Sequence, residues 1–372
     1  MAGPSDPSRL TVAAARPEDD AGVRALLRRQ VMEGTLRLTL EREPDGQHAA
    51  AVEGERHHMV VARRADNPEI LGMASRAVRR VWWNGEPAFL GYLSQLRRVP
   101  ELAGGRRLLR QGFEACNAAR RNDELPFDLT SILADNTNAR RLLERGLPGL
   151  PAYRPFCNFS TLTFGTRTSG RQRSQAVIEY GSEALLPAIV DCLERNLRRY
   201  QLAPVWSLAD LRSAERTRGL KPTDFLVATE KSKVLGCLAL WDQRSFKQVV
   251  VRGYDGILGP FRPWVNVGLT VVGRPRLPRP GRPLELAFLS HVAIDDDRPE
   301  ILLDLVATAR RTARRRGLDY LSMGFATDHP FTAAIQKATR ARILESVLYL
   351  VGSGANTARL DSRRPHVEVA VL

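Results

Sequence analysis

The residues best placed to do chemistry lie between positions 88 and 153. An apolar segment, 88–99, carries Leu96, Arg97 and Arg98 near its end and runs on to Ala103, Gly104, Gly105, Arg106 and Arg107. Behind them Leu108, Leu109, Phe113 and Cys116, with Gly112 among them, recur at the spacing of one helical face. A glycine-rich turn at a helix start offers free backbone N–H groups and the positive end of the helix dipole, a ready anion site. Adjacent arginines add charge and a forked donor set suited to phosphate. A second apolar run, 127–134, reads as a strand, and Asn136 opens a short helix through Leu142 and Leu143.

The order around these residues is strand, loop, helix, strand, helix, and the rest of the chain frames it. Residues 10–14 read as a short strand. Arg16 and Pro17 open a helix carrying Val23, Leu26 and Leu27, with acid in its first turn as the dipole prefers. The polar stretch 41–56 reads as a loop, 58–62 with 70–74 as a hairpin, and 78–83 as a further strand. After 156–164 comes the stretch 165–175, free of large apolar residues, which reads as a linker.

The second half restates the first. Residues 177–180 read as a strand, and 183–200 as a helix with Leu186, Ile189, Leu193 and Leu197 on one side. Segments 225–228 and 234–238 form a hairpin whose pattern matches Val61, Ala62 and 70–74. Strand 286–290, a helix through Ile301, Leu302, Leu305 and Val306, and strand 318–323 follow at the earlier spacing. The chain is therefore read as two tandem copies of one α/β unit. They are expected at 1–165 and 177–372, with 166–176 as linker and a proline- and arginine-rich loop at 259–283. Where the first copy has glycine and arginine, the second has Asp295, Asp296, Asp297 and Glu300. Carboxylates cap a helix well but repel a pyrophosphate. Residues 365–372 alternate like an edge strand.

The run from Leu96 to Leu109 resembles the acyl-CoA loop and helix of the GNAT acyltransferases, and the run from Asn136 to Leu143 the block that follows it there. The resemblance implies two tandem GNAT-like domains, each a mixed, mainly antiparallel sheet flanked by helices. It implies an N-acyltransferase moving an acetyl group from acetyl-CoA to an amine on a small molecule, peptide or protein. Leu96, Arg97, Arg98, Ala103, Gly104, Gly105, Arg106, Arg107, Asn136 and Arg140 would hold the co-substrate, in the first copy alone, without a metal. Asn136 serves equally as a helix N-cap. The glycines are adjacent rather than spaced as the family has them, and no hydroxyl stands near Leu143, where its general acid sits. Tyr153 is the substitute acid, or else a tyrosine packed under a proline turn. Tyr92 and Ser94 can line the site, and Glu86 and Glu101 are possible bases. Two other readings share the double fold: a silent CoA- or protein-binding module, and a Fem-like ligase using aminoacyl-tRNA.

Composition narrows the field. The net charge of +15 is almost all arginine, with lysine only at 221, 231, 233, 247 and 337. The arginines rarely alternate with aromatics and no nucleic-acid module is evident, so a nucleic-acid partner is not expected. Cys116, Cys157, Cys192 and Cys237 form no metal-type pair and the histidines are scattered; the three cysteines in apolar runs, Cys116, Cys192 and Cys237, read as buried thiols. The absence of a basic and apolar leader or of a long apolar run makes cytoplasmic residence, without membrane contact, the expectation.

Overall fold

A computed structural model describes residues 10–64, 67–99, 105–167, 173–271, 275–352 and 360–372. The first half comprises β1 (Leu10–Ala14), α1 (Asp20–Arg29), β2 (Leu36–Glu41), α2 (Gly46–Glu53), β3 (Arg56–Arg64), β4 (Asn67–Trp83), β5 (Glu86–Arg98), α3 (Gly105–Ala118), β6 (Glu124–Leu133), α4 (Thr137–Glu144) and β7 (Ala152–Gly165). The second comprises β8 (Val177–Tyr180), α5 (Leu186–Leu197), α6 (Leu208–Arg212), β9 (Phe225–Glu230), β10 (Lys233–Trp241), β11 (Gln248–Tyr254), α7 (Leu258–Val271), β12 (Leu286–Ile294), α8 (Pro299–Arg315), β13 (Tyr320–Ala326), α9 (Pro330–Thr339) and β14 (Arg342–Gly352).

Among the described residues, twelve strands form one mixed, mostly antiparallel sheet in the order β1-β3-β4-β5-β6-β14-β7-β13-β12-β10-β9-β8. The centre of that order is an exchange. The strand after the short helix of each half pairs with the other half: β14 lies against β6, and β7 against β13. The cores follow the exchange. Leu162 and Phe164 of β7 pack with Ile301, Leu305 and Ala309 of α8, while Val347, Tyr349 and Val351 of β14 pack with Leu143 of α4. A second, two-stranded sheet pairs β2 with β11, again one strand from each half.

Both halves open a fork in their parallel pair. Strands β5 and β6 pair only as far as Tyr92 and Leu129, then 93–98 and 130–133 diverge. Strands β12 and β13 pair only as far as Phe288 and Ser322, then 289–294 and 323–326 diverge. Three residues past each branch point is a bulge with a left-handed backbone, Gln95 at φ 54° and His291 at φ 54°. A bulge bends the strand and turns its N–H groups out of the ladder. The agreement of both offsets is the clearest sign that the halves are copies.

Below the first fork, Arg76 is fully buried on β4 and bonds Asp128 Oδ1 at 2.8 and 3.0 Å and also Glu124. A Cβ on Gly91 would lie 2.0 Å from Asp128 Oδ1 and 2.5 Å from Arg76 Nη2, so this strand position admits only glycine.

Four expectations are corrected. The stretch 41–56 is not all loop: Asp45 accepts from Gln47 N at 2.7 Å and caps α2, whose run of alanines hides any apolar stripe. Segments 70–74 and 78–83 are one 17-residue strand, its pattern interrupted by inward arginines held in polar contacts. The expected loop 259–283 is helical as far as Val271. Pro260 falls in the first turn, where its missing N–H costs nothing, and only Pro263 removes an interior bond. Residues 365–372 form no edge strand. Val367, Glu368, Ala370 and Val371 are buried, with a short turn of 3-10 helix at Val369–Val371.

Candidate active site

The first fork has two sides. On the side of α3 and α4, Leu93 and Ile132, from its two diverging arms, share a cluster with Leu143, Phe113 and Tyr153. Tyr153 is 9% exposed and lies between the rings of Phe113 (6.1 Å) and Tyr349 (6.0 Å). Burial pushes its hydroxyl well above the usual tyrosine range, so it keeps its proton. Thr130 Oγ1 donates to Leu93 O at 2.8 Å, tying the arms together where they part.

The residues read from sequence as cofactor ligands are dispersed around this fork. Leu96 is 46% exposed on the outer arm. Arg97 bonds the Leu96 carbonyl at 3.2 Å, and burial beside Arg42 holds its guanidinium below the ordinary value. Arg98 is exposed, and its carbonyl accepts from Gln30 Nε2 at 3.1 Å. Ala103 and Gly104 lie outside the described residues, as does Glu101. Gly105 opens α3, and Arg106 and Arg107 stand exposed on its first turn, which contains no acid. Asn136 Oδ1 accepts from Ala139 N at 3.1 Å, the N-cap bond. Arg140 donates to Tyr349 Oη at 2.9 Å and to Ala134 O at 3.1 Å, while Tyr349 donates to Glu144. Its guanidinium is thus engaged in holding α4 to β14.

The other side of the fork is a buried polar chamber between the halves. Tyr92 faces it, and burial pushes its hydroxyl well above the usual tyrosine range. Glu53, at the end of α2, is met by Arg42, by Lys247 Nζ at 3.8 Å and by His57 Nε2 at 3.9 Å. Burial works to raise Glu53, but Arg42 and Lys247 prevail and hold it below its usual value. Arg79 donates to Val371 O and Lys247 to Leu372 O at 3.0 Å, anchoring the C-terminal residues. Burial lowers Lys247 to about 8, Arg79 to about 10 and His57 to about 4. Burial also lifts Glu368 to about 7, against N–H donors from His291 and Ala370. Arg79, Tyr92, Leu90, Leu129 and Glu368 line one narrow cavity. Two groups here therefore change charge near neutral pH, which is what proton transfer at that pH requires.

Sequence reasoning missed Glu53, Arg79, Lys247 and Glu368. Two weak signals exist. Arg79 interrupts the apolar run around Ala77, Val78 and Val81, and Lys247 is one of five lysines where arginine is the rule. Of the other residues raised, Ser94 bonds Ser75 at 2.8 Å and Glu86 pairs with Arg198 at 2.8 Å on the surface.

The second fork is closed. The His291 N–H donates to Glu368 Oε2 at 2.7 Å. At the entry to α8, Asp295 is bound by Arg195 (2.9 Å), Asn196 (2.8 Å) and Lys233 (3.4 Å), and Asp297 by Arg199 (2.8 Å) and Tyr200.

No family model matches the sequence, and no curated protein matches it. Solved structures do. Saccharomyces cerevisiae N-myristoyltransferase with bound myristoyl-CoA aligns over 93% of this chain and 79% of its own, at 10% identity and TM-score 0.61. A GCN5-related N-acetyltransferase from Sphaerobacter thermophilus aligns over 98% of both chains, at 13% identity and TM-score 0.56. A GCN5-related glucosamine N-acetyltransferase region of a fungal multi-domain GH3 beta-N-acetylglucosaminidase aligns over 93% of this chain and 38% of its own, at 14% identity and TM-score 0.59. The likeness shows the fold, which is GNAT-like.

Proposed function

We propose that this chain is an acyl-CoA-dependent N-acyltransferase with one working fork, between β5 and β6. The observation that carries the reading is the contrast between the copies. The first has a bulge at Gln95 and leads to a helix whose first turn is acid-free and holds Arg106 and Arg107. The second, alike in register, carries a carboxylate on the bulge N–H and carboxylates at the helix start. The solved N-myristoyltransferase and N-acetyltransferase structures of the same fold support acyl transfer to an amine. The division into 1–165 and 177–372 is retained as the extent of the two copies, with the exchanged strands joining them.

Aminolysis of a thioester needs the carbonyl polarised, a proton taken from the amine and a proton supplied to the leaving thiolate. In this reading the N–H groups turned out at Gln95 polarise the carbonyl, and the α3 start with its two arginines holds the pyrophosphate. On the chamber side of the fork, Glu368 is the candidate base at its raised value. Tyr153, still protonated on the opposite wall, is the candidate acid. The acyl group proposed is acetyl, the acceptor an amine on a small molecule, peptide or protein, and the compartment the cytoplasm.

Calorimetry with acetyl-CoA and a longer acyl-CoA tests this. Saturable binding to the intact protein, lost on reversing Arg106 and Arg107, is expected. The relative affinities decide between acetyl and longer chains. Binding that survives the reversal would move the site, and no binding to either would leave the non-catalytic and tRNA-dependent readings.

A further inference from the structure

Helix α7 presents the wrong face to water. Ile257, just before it, and Phe261, Trp264, Val267 and Val271 follow one helical stripe and are 78, 55, 74, 59 and 82% exposed. No residue of the helix is buried. The outward face of an ordinary surface helix is polar, and a contiguous apolar patch marks a docking surface. The flanking chain is equally unusual. Between Asp255 and Glu285 the sequence has no acid and five arginines. The arginine-bearing loop is fastened to the helix: Asn266 Oδ1 accepts from Leu277 N at 2.7 Å, its amide donates back to Leu277 O at 3.1 Å, and Arg262 shares that carbonyl at 3.1 Å. Tyr254 Oη donates to Pro278 O at 2.7 Å. Arg276, Arg279 and Arg282 are thereby held exposed beside the stripe.

We propose that α7 with its arginine loop is an in-plane docking element for an anionic lipid surface. Aromatic and aliphatic side chains on one stripe would enter the headgroup boundary, and the clamped arginines would meet lipid phosphate. Charge complementarity decides the occupant. A second copy of this chain would bring another acid-free, arginine-bearing segment against the first, whereas an anionic bilayer supplies the opposite charge. Among the described residues no helix is long and apolar enough to cross a membrane, so the element lies on the surface. This revises the expectation of no membrane contact, which rested on the lack of a spanning segment.

Co-sedimentation of the full chain with vesicles of phosphatidylglycerol and phosphatidylcholine, against phosphatidylcholine alone, at 0.15 M salt is the test. Trp264, the most exposed of the five tryptophans, is the reporter, since Trp82, Trp206 and Trp241 are buried and Trp83 is half-buried. Binding to the anionic vesicles with a blue shift and quenching by brominated acyl chains is expected. Phe261→Ser with Val267→Ser, which leaves charge unchanged, should weaken binding tenfold or more. Arg276→Gln and Arg279→Gln should each cost about fivefold. Far-ultraviolet spectra and melting should not change, because these side chains are exposed. Three results overturn the proposal: no binding to the anionic vesicles, binding that the serine variant retains without a Trp264 shift, or self-association that the serine variant abolishes.

Discussion

The backbone N–H of His291 donates to the Glu368 carboxylate at 2.7 Å, so the chain satisfies in its second fork the donor that Gln95 occupies in the first. Burial raises Glu368 from 4.5 to about 7. Between those values the unfolded chain releases a proton that the folded chain keeps, so this group's contribution to stability falls as pH rises through the window and levels off above it. Glu368→Gln removes that dependence. Relative to the parent, the variant should gain on the order of 3 kcal/mol between pH 4.5 and 8. Urea melts of both proteins at stepped pH check this, and a difference constant with pH would mean that Glu368 is ionised throughout. If Glu368 is also the base, the limb of kcat/KM that rises through pH ~7 disappears in the variant.

Reversal of Arg106 and Arg107 should weaken acyl-CoA binding about 30-fold or more, because both charges stand at the positive end of α3. Arg195→Ala at the second fork should leave it unchanged. Titration calorimetry on the three proteins decides, and a loss from Arg195→Ala of the same size would assign the anion to the second copy.

Tyr153 and Tyr92 stand on opposite sides of the first fork, and substitution separates them. Tyr153→Phe should lower kcat about 100-fold with KM little changed, as expected when an acid acts only in the transition state. Tyr92→Phe alters a ring buried in the core between the halves and should act mainly on stability. Steady-state rates with a common acceptor would reverse the assignment if the larger kcat effect fell on Tyr92.

Gly91→Ala places a methyl group 2.0 Å from Asp128 Oδ1 and must part it from Arg76. A buried pair forced open leaves charge uncompensated, so a loss of about 3 kcal/mol or more is expected. Urea denaturation measures it. A loss under about 1 kcal/mol would show that β5 can move away from the pair.

Much of the frame was legible because it is locally periodic. Residues 10–14 form β1 as read, 177–180 form β8, and the helices begun at Asp20, Gly105 and Leu186 carry their expected apolar faces. Asn136 is the cap that its residue type suggested. The chamber was hidden because its members are joined across the chain. Lys247 meets Glu53 and Arg79 meets Val371, and neither pairing leaves a short-range pattern.

By itself the sequence determined which segments alternate, which coil, that one α/β unit occurs twice, and that only the first helix start is free of acid. These follow from side-chain period and from charge near a helix end, both set within a few residues. Tertiary structure alone decided that β7 and β14 change places, that residues 365–372 enter the second fork, and that a Lys, a Glu and two arginines share a buried chamber. Period tells a strand which face to bury but not which strand to bury it beside. That choice is made by packing between segments far apart in the chain, such as Leu133 beside Ser346 and Gly165 beside Tyr320.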